Sequence, residues 1–308
     1  MTWWEAVVLG VVQGLTEFFP VSSSGHLVLA DELLGLQTEG ITFDISVHVA
    51  TLVSVLAVYR QRVFRLCLGC VGRGGDQDAW PYVLKIALAT IPAGVVGVLF
   101  KDWFEGRFGD PTFAATMLLV TGTFVWSTRW TRTPERPGPV EFAPIVVAAG
   151  VSAWMGTIMP FAVVLALEAV IMGSARLTSA KEQQSGPGWL GAVFMGVAQA
   201  VAILPGISRS GSTVVTGLWR RIDPVAAAEF SFLMSVPAIL GAAILQIPDA
   251  ASEGAAIGAV PILAGFIAAA ASGVLAIRLF VSMLRRQNFH AFGWYCWAAG
   301  ALFLLFAA

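Results

Sequence analysis

The fold of this chain is decided by residues 10–26, which read GVVQGLTEFFPVSSSGH. The stretch begins as an apolar helix and is then interrupted by proline, serine and glycine, which favour turns and helix ends. It lies within residues 3–36, an apolar segment without lysine or arginine. Such a broken segment is typical of a re-entrant helix–loop–helix, which enters a membrane and returns to the side it came from.

A second apolar segment, residues 189–218, is interrupted in the same way by PGISRSG at 205–211. When residues 10–26 are set against 196–212, six of seventeen positions are identical. The charged loops described below place the ends of the two segments on opposite sides of a membrane. A unit duplicated in opposite orientations is an inverted-topology repeat. We therefore predict that the two polar loops face each other inside the protein.

The composition is that of an all-α integral membrane protein. Of the 308 residues, 57% are hydrophobic and only 12% are charged, whereas globular domains carry about 25% charged residues. The mean hydropathy is +0.79, and several uncharged windows approach the ~20 residues that cross a hydrocarbon core. The net charge is −1 and no basic patch is dense. The expected partners are therefore lipids of the bilayer and not nucleic acid.

Lysine and arginine cluster between the apolar segments, beginning at Arg60. The positive-inside rule places these clusters in the cytoplasm, so the loops at 101–110 and 247–256 are expected outside. An additional apolar hairpin is expected at about 141–173. The chain is expected to form a single transmembrane domain over residues 1–308. Its two repeats are expected to cover about residues 1–128 and 189–308. The predicted membrane crossings are residues 42–59, 80–100, 112–128, 225–246, 257–282 and 289–307.

Glu17 and Gln13 are four residues apart, so they share the helix face that leads into the serine loop. An acidic side chain inside a membrane is costly and usually functional. The Glu17 carboxylate is a candidate ligand for a divalent cation and a candidate base. Its structural alternative is an ion pair with Arg209.

Arg209 lies among serines and glycines in the second broken segment, where burial of its charge is also costly. The next helix is expected to begin near residues 210–213, so its free N–H groups and positive end would lie beside the guanidinium. A guanidinium binds phosphate oxygens in pairs. This arrangement suits a phosphate or a carboxylate.

Ser23 and His26 are three residues apart, a spacing that allows a nucleophile and its base. His26 could instead attack phosphorus itself or protonate the leaving group. His48, in the next span, either lines the site or packs against a neighbour. Glu229 is expected to be structural, paired with one of the arginines at 209, 220 and 221.

Three stretches resemble the undecaprenyl-diphosphatase family that is linked to bacitracin resistance. They are residues 10–26, PGISRSGST at 205–213 and EFSFLMSVP at 229–237. The first two are similar to the family's signatures, and both are long and specific. The resemblance covers about residues 1–128 and 189–308, and it says nothing about the hairpin.

The resemblance implies a bacterial plasma (inner) membrane phosphatase that converts undecaprenyl diphosphate to undecaprenyl phosphate, recycling the carrier lipid for peptidoglycan synthesis. It implies a divalent cation, Mg²⁺ or Ca²⁺, and a site open to the outer side. The cation is expected on Glu17 and Gln13, although many family members carry a second glutamate at the latter position. The catalytic residues are expected to be Glu17, Ser23, His26 and Arg209, and the phosphate-binding residues Ser22, Ser24, Gly25, Ser208, Arg209, Ser210, Gly211 and Thr213.

An alternative function is transport of an anion or a lipid phosphate, because inverted repeats and broken helices are typical of secondary transporters. A transporter would use Arg209 and the helix-end amides but would not need Ser23 and His26 beside an acid. Phosphate release from a prenyl diphosphate separates the two functions. The sequence leaves open a homodimer, the nucleophile and any flipping of the product lipid.

Overall fold

A computed structural model describes residues 1–34, 41–108, 110–131, 184–253, 258–286 and 288–306. The helices before the gap at 132–183 are α1 (Trp3–Thr16), α2 (Ser23–Leu34), α3 (Ile41–Val58), α4 (Arg60–Cys70), α5 (Ala79–Leu99), α6 (Lys101–Phe108) and α7 (Pro111–Trp126), followed by a 3₁₀ turn at Ser127–Trp130.

The helices after that gap are α8 (Trp189–Val201), α9 (Arg209–Trp219), α10 (Pro224–Glu253), α11 (Ala259–Arg285) and α12 (Phe292–Phe306). A 3₁₀ turn at Phe289–Ala291 precedes α12. Apart from an isolated β-bridge between Gln184 and Ile222, the regular structure of the described residues is helical. The predicted all-α class is therefore confirmed.

Within the described ranges, four helices are long and apolar enough to cross a membrane, as judged by length and composition. They are Ile41–Val58, Ala79–Leu99, Pro224–Pro248 and Ala259–Arg285. They coincide with four of the predicted crossings. The other two, 112–128 and 289–307, correspond to shorter helices of 16 and 15 residues. The predicted hairpin at 141–173 lies outside the described residues.

Both interrupted segments fold as two helices joined by a turn. α1 begins at a capping box, in which Glu5 N donates to Thr2 Oγ1 at 3.4 Å and Thr2 N donates to the Glu5 carboxylate at 2.7 Å. It ends four residues before Pro20, and α2 begins within the serines. Ser208 caps α9 by accepting from Gly211 N at 3.0 Å. The breaks fall where proline, glycine and serine predicted them.

Small residues bring α1 and α11 into backbone contact. A Cβ added to Gly10 would lie 2.4 Å from the carbonyl oxygen of Gly265. α8 lies against α5 in the same way, because a Cβ on Gly196 would lie 2.4 Å from the Ala89 oxygen. α7 is buried along nearly its whole length and contacts α2, α9 and α12. It therefore supports both broken segments from inside the bundle.

Replacing Gly10 with alanine should destabilise the protein, because the new methyl group would meet a backbone oxygen that cannot rotate away. Overpacking of this kind costs about 1–3 kcal/mol. Thermal unfolding of the purified variant in detergent should begin at a lower temperature than that of wild type. Gly94→Ala on α5 is the matched control, since a Cβ there meets nothing within 4 Å. Equal losses in both variants would contradict the close contact of α1 with α11.

Glu229 pairs with Arg62, a partner that the sequence did not suggest. Arg62 Nε donates to Glu229 Oε1 at 2.9 Å, and Arg62 Nη1 is paired with Asp76. The Tyr82 hydroxyl donates to the same Glu229 oxygen at 3.3 Å. Burial acts to lower the pKa of Arg62, but Glu229 and the other neighbouring groups raise it by more. This charged cluster joins α4, α5 and α10.

Candidate active site

The two polar loops lie against each other, as the sequence predicted. Ser210 Oγ, in the first turn of α9, donates to the carbonyl oxygen of Phe19 in the first loop at 3.0 Å. A Cβ added to Gly25, in the first turn of α2, would lie 3.4 Å from the Cα of Gly206 in the second loop. The start of each helix therefore packs on the loop that leads into the other.

Glu17 is the centre of this contact. Its Oε1 accepts from Arg209 Nη2 at 2.5 Å, and its Oε2 accepts from Ser23 Oγ at 2.6 Å and from Gln13 Nε2 at 3.2 Å. The side chains of Glu17 and Arg209 are 8% and 16% exposed. An acid, a hydroxyl, an amide and a guanidinium are thus joined in one hydrogen-bonded cluster.

The two loops end in the same arrangement of serines. Ser22 Oγ lies 3.2 Å from Ser24 Oγ and accepts from Gly25 N at 3.3 Å. Ser208 makes the corresponding contacts, at 3.2 and 3.0 Å, at the start of α9. Ser22 has a φ of +66°, a left-handed conformation that costs a non-glycine residue about 1–3 kcal/mol. The N-termini of α2 and α9, where the helix dipoles are positive, therefore lie at the contact between the two loops.

Thr121, on α7, holds the second loop from behind. Its hydroxyl donates to the Gly206 carbonyl at 2.8 Å and accepts from Ser208 N at 3.0 Å. Gly206 has a φ of +92°, and a Cβ there would lie 2.1 Å from the Ala114 oxygen, so the position requires glycine. A threonine within an apolar helix carries no sequence signal for such a role, and sequence reasoning missed it.

The sequence allowed two bases for Ser23, Glu17 and His26. In the structure the Ser23 hydroxyl donates to Glu17. His26 has other contacts: its Nδ1 lies 2.8 Å from the Ser22 carbonyl oxygen and its Nε2 lies 2.8 Å from the Tyr295 hydroxyl. Side chains in a helix lean toward its N-terminus, so Ser23 at the start of α2 points back to Glu17. Tyr295 was missed because it lies 269 residues from His26.

His48 lies on α3. Its Nδ1 is 2.8 Å from the carbonyl oxygen of Asp44, one turn earlier on the same helix. Because this contact is internal to α3, both interpretations offered by the sequence, lining the site and packing against a neighbour, stay predictions.

Two buried polar atoms of the cluster have no hydrogen-bond partner among the described residues. They are Arg209 Nη1 and Gln13 Oε1. An unpaired buried donor or acceptor costs about 1–3 kcal/mol, so a ligand atom that satisfies either one would be stabilised. A guanidinium N–H suits an anionic oxygen, and an amide oxygen suits a hard cation.

Two other predicted phosphate ligands, Thr213 and Ser210, have protein partners for their hydroxyls. Thr213 Oγ1 donates to the Arg209 carbonyl at 2.8 Å and lies 2.6 Å from Ser231 Oγ on α10. The Ser210 hydroxyl joins the two loops, as described above. Phosphate binding by these hydroxyls stays a prediction. The backbone N–H groups in the first turns of α2 and α9 could also bind an anion at this site.

Comparison with known proteins gives this arrangement a family context. The family model described as bacitracin resistance protein BacA matches residues 6–143 and 138–302. An undecaprenyl-diphosphatase of Alkaliphilus metalliredigens is 34% identical over 319 residues, which cover 100% of this chain and 99% of that protein. The undecaprenyl-diphosphatases of Desulfatibacillum aliphaticivorans and Salinibacter ruber are 36% and 34% identical, over at least 98% of each chain. The family match runs through residues 141–173, which the motifs alone did not cover.

Proposed function

The chain belongs to the bacitracin resistance protein BacA family, and from this premise we propose that it hydrolyses undecaprenyl diphosphate at the cluster around Glu17. The products are undecaprenyl phosphate and phosphate, so the reaction recycles the carrier lipid for peptidoglycan synthesis. The observation that carries this site is the Glu17 carboxylate, which accepts from Ser23 at 2.6 Å and from Arg209 at 2.5 Å. It joins a candidate nucleophile to a candidate phosphate ligand.

Arg209 is the proposed phosphate ligand. Its Nη2 is bound to Glu17, while Nη1 is buried without a partner in the described part of the chain. The guanidinium can therefore hold the carboxylate and a phosphate oxygen together. The positive ends of α2 and α9 would attract the same anion. Stabilising charge on the transferred phosphoryl group is the main requirement of this chemistry.

Ser23 is the proposed nucleophile and Glu17 its base. The Ser23 oxygen would bond to the terminal phosphorus as its proton moves to Glu17 Oε2, and the bond from that phosphorus to the bridging oxygen would break. Undecaprenyl phosphate then leaves. The oxygen of a water molecule would then bond to phosphorus as the bond from phosphorus to the Ser23 oxygen breaks. The proton on Glu17 would return to the Ser23 oxygen, and both water protons would leave with the phosphate. The alternative is direct attack on the terminal phosphorus by water, with Glu17 as the base. In either case, His26 is proposed to exchange a proton with the departing phosphate.

A divalent cation, Mg²⁺ or Ca²⁺, fits the donors of the cluster. Glu17 supplies a carboxylate, and Gln13 Oε1 supplies a buried amide oxygen with no partner among the described residues. Mg²⁺ is usually held by one or two carboxylates together with substrate phosphates. The described ranges contain no group of three or more His, Cys, Asp or Glu side chains placed to hold a metal, so the diphosphate would complete the ligand set. When bound, the cation would neutralise charge on the diphosphate.

Removal of divalent cations with EDTA should abolish phosphate release, and Mg²⁺ or Ca²⁺ should restore it. Gln13→Glu should reduce the Mg²⁺ concentration for half-maximal rate by about 10-fold, because a carboxylate binds this hard cation better than an amide. Gln61→Glu is the matched control, since Gln61 is exposed on α4, a helix that contributes no residue to the cluster. A full rate in EDTA would remove the cation from the mechanism.

We also propose that the broken segments are re-entrant and form an inverted repeat. α1 and α2 have 14 and 12 residues, about 21 and 18 Å at 1.5 Å per residue. Each is too short for a hydrocarbon core of ~30 Å. The matching serine caps of the two loops support their common origin. With the basic clusters in the cytoplasm, the site would open to the outer side of the plasma membrane. A homodimer stays a prediction.

Phosphate release by the purified protein in detergent, from a short-chain prenyl diphosphate, tests the proposed function. We expect saturable release of phosphate. Failure to release phosphate, combined with transfer of a lipid phosphate across vesicle membranes, would favour the transporter. Persistence of turnover in Ser23→Ala would assign the attack to water or His26.

A further inference from the structure

Tyr295, on α12, makes two contacts with His26 that the proposed mechanism does not use. Its hydroxyl lies 2.8 Å from His26 Nε2. The two rings are stacked, with 5.6 Å between centroids and 11° between planes. His26 Nδ1 lies 2.8 Å from the carbonyl oxygen of Ser22. Both imidazole nitrogens are therefore engaged, and the phenol ring lies nearly parallel to the imidazole.

The contact with Ser22 decides which nitrogen of His26 carries the proton. A carbonyl oxygen can only accept, so Nδ1 must be protonated and must donate. In the neutral imidazole, Nε2 then has the lone pair, and the Tyr295 hydroxyl donates to it. When Nε2 takes up a proton, the phenol oxygen can accept from it instead. A phenol can thus remain bonded to Nε2 in both protonation states.

The place of α12 in the bundle does not depend on the Tyr295 hydroxyl. The next residue, Cys296, is fully buried and its Sγ donates to the Pro20 carbonyl at 3.4 Å. Trp297 Nε1 donates to the Leu119 carbonyl on α7 at 3.2 Å. Tyr295 itself is 49% exposed. Loss of its hydroxyl would therefore be felt at His26 more than in the packing of the helices.

We propose that Tyr295 is the positioning residue of His26, which it holds in one plane while the Ser22 carbonyl fixes the Nδ1–H tautomer. The nitrogen that exchanges protons, Nε2, is thereby fixed in direction. A catalytic imidazole is commonly oriented by a third group in this way. The proposal rests on the proposed function, because it assigns Tyr295 to the same site. Tyr295 acts through His26 and need not touch the substrate.

Tyr295→Phe should lower kcat for phosphate release by about 10-fold and change KM by less than about 2-fold, since it removes one hydrogen bond and keeps the ring. Tyr59→Phe is the matched control, with the same loss of a hydroxyl at the end of α3, and it should retain the wild-type rate. A wild-type kcat in Tyr295→Phe would overturn the proposal, while wild-type protein without turnover would overturn the proposed function instead.

A double-mutant cycle tests whether Tyr295 acts through His26. In a His26→Ala background, Tyr295→Phe should have no further effect on the residual kcat, because the group that it positions is gone. Independent, multiplying losses would show that Tyr295 acts by another route and would overturn the proposal.

The tautomer of His26 can be read without any turnover. The chain has three histidines, so ¹⁵N spectra of protein labelled at the imidazole nitrogens in detergent are assignable with His→Gln variants. Wild type should show a protonated Nδ1 and a hydrogen-bonded, unprotonated Nε2 for His26. In Tyr295→Phe the Nε2 signal should move toward that of a nitrogen without a hydrogen bond. Identical His26 signals in the two proteins would contradict the bond to Tyr295.

Discussion

Arg209→Ala should reduce kcat/KM for a prenyl diphosphate by about three orders of magnitude. Loss of one preorganised donor to a developing negative charge costs about 10²–10³ in rate, and an arginine that stabilises phosphoryl transfer contributes about 10³–10⁵. The loss is compounded in this chain because Glu17 would lose the guanidinium that lies 2.5 Å from it. Initial rates of phosphate release over a range of substrate concentrations measure the effect.

Arg209→Lys separates the charge of this residue from its geometry. Lysine keeps the positive charge but has no forked donor, so it cannot hold Glu17 and a phosphate oxygen together, and we expect a loss of about 10- to 100-fold. Arg73→Ala, at an exposed position, is the control and should match wild type. If Arg209→Ala kept more than a tenth of the wild-type kcat/KM, Arg209 would not be the phosphate ligand.

Glu17→Gln should lower kcat by about 10²–10⁴-fold, the range expected when a general base is lost. Glutamine has nearly the same shape and can still accept a hydrogen bond from Ser23, but it cannot take up the Ser23 proton. It also removes the negative charge beside Arg209. KM should change less than kcat, because the substrate phosphates would still be bound by the guanidinium. Steady-state kinetics of phosphate release provide both values.

Glu5→Gln is the matched control for this variant, because Glu5 lies in the first turn of α1 and Glu17 directly follows that helix. Glutamine at position 5 can also complete a capping box. It should keep the wild-type kcat. A kcat for Glu17→Gln within about 3-fold of wild type would exclude Glu17 as the base.

The pairing of Glu17 with Arg209 also has a consequence for stability. Removal of one partner of a buried ion pair costs about 3–5 kcal/mol, so Glu17→Ala and Arg209→Ala should each unfold at a lower temperature in detergent. The double variant should be less destabilised than the sum of the two losses, since neither charge is then left alone. Additive losses would mean that the two side chains do not interact.

Local sequence predicted the helix ends around the candidate site. α1 ends at Thr16, four residues before Pro20, where the sequence predicted a break. α9 begins at Arg209, one residue before the expected range of 210–213. These signals act within one or two turns of the chain. For that reason the broken segments and their polar residues could be located from the sequence.

The partners of the site residues depended on tertiary packing. Helical spacing put Ser23 and His26 within reach of each other, but packing brings Glu17 to Ser23 and Tyr295 of α12 to His26. Ser23 therefore binds Glu17, and His26 binds Tyr295. Thr121 was unforeseen for the same reason, since its role depends on the packing of α7 behind the second loop.

By itself, the sequence determined that the chain is helical and apolar enough for a membrane. It also determined which polar residues interrupt the apolar segments. Both can be taken from the sequence because span length and helix breaks depend on neighbouring residues. Only the tertiary structure decided which polar groups meet. Once the helices are packed, each buried polar group must find a partner within hydrogen-bond distance or remain unpaired at a cost of about 1–3 kcal/mol. The long-range pairs that packing brings together are Glu17 with Arg209, Glu229 with Arg62, and His26 with Tyr295, which lie 192, 167 and 269 residues apart.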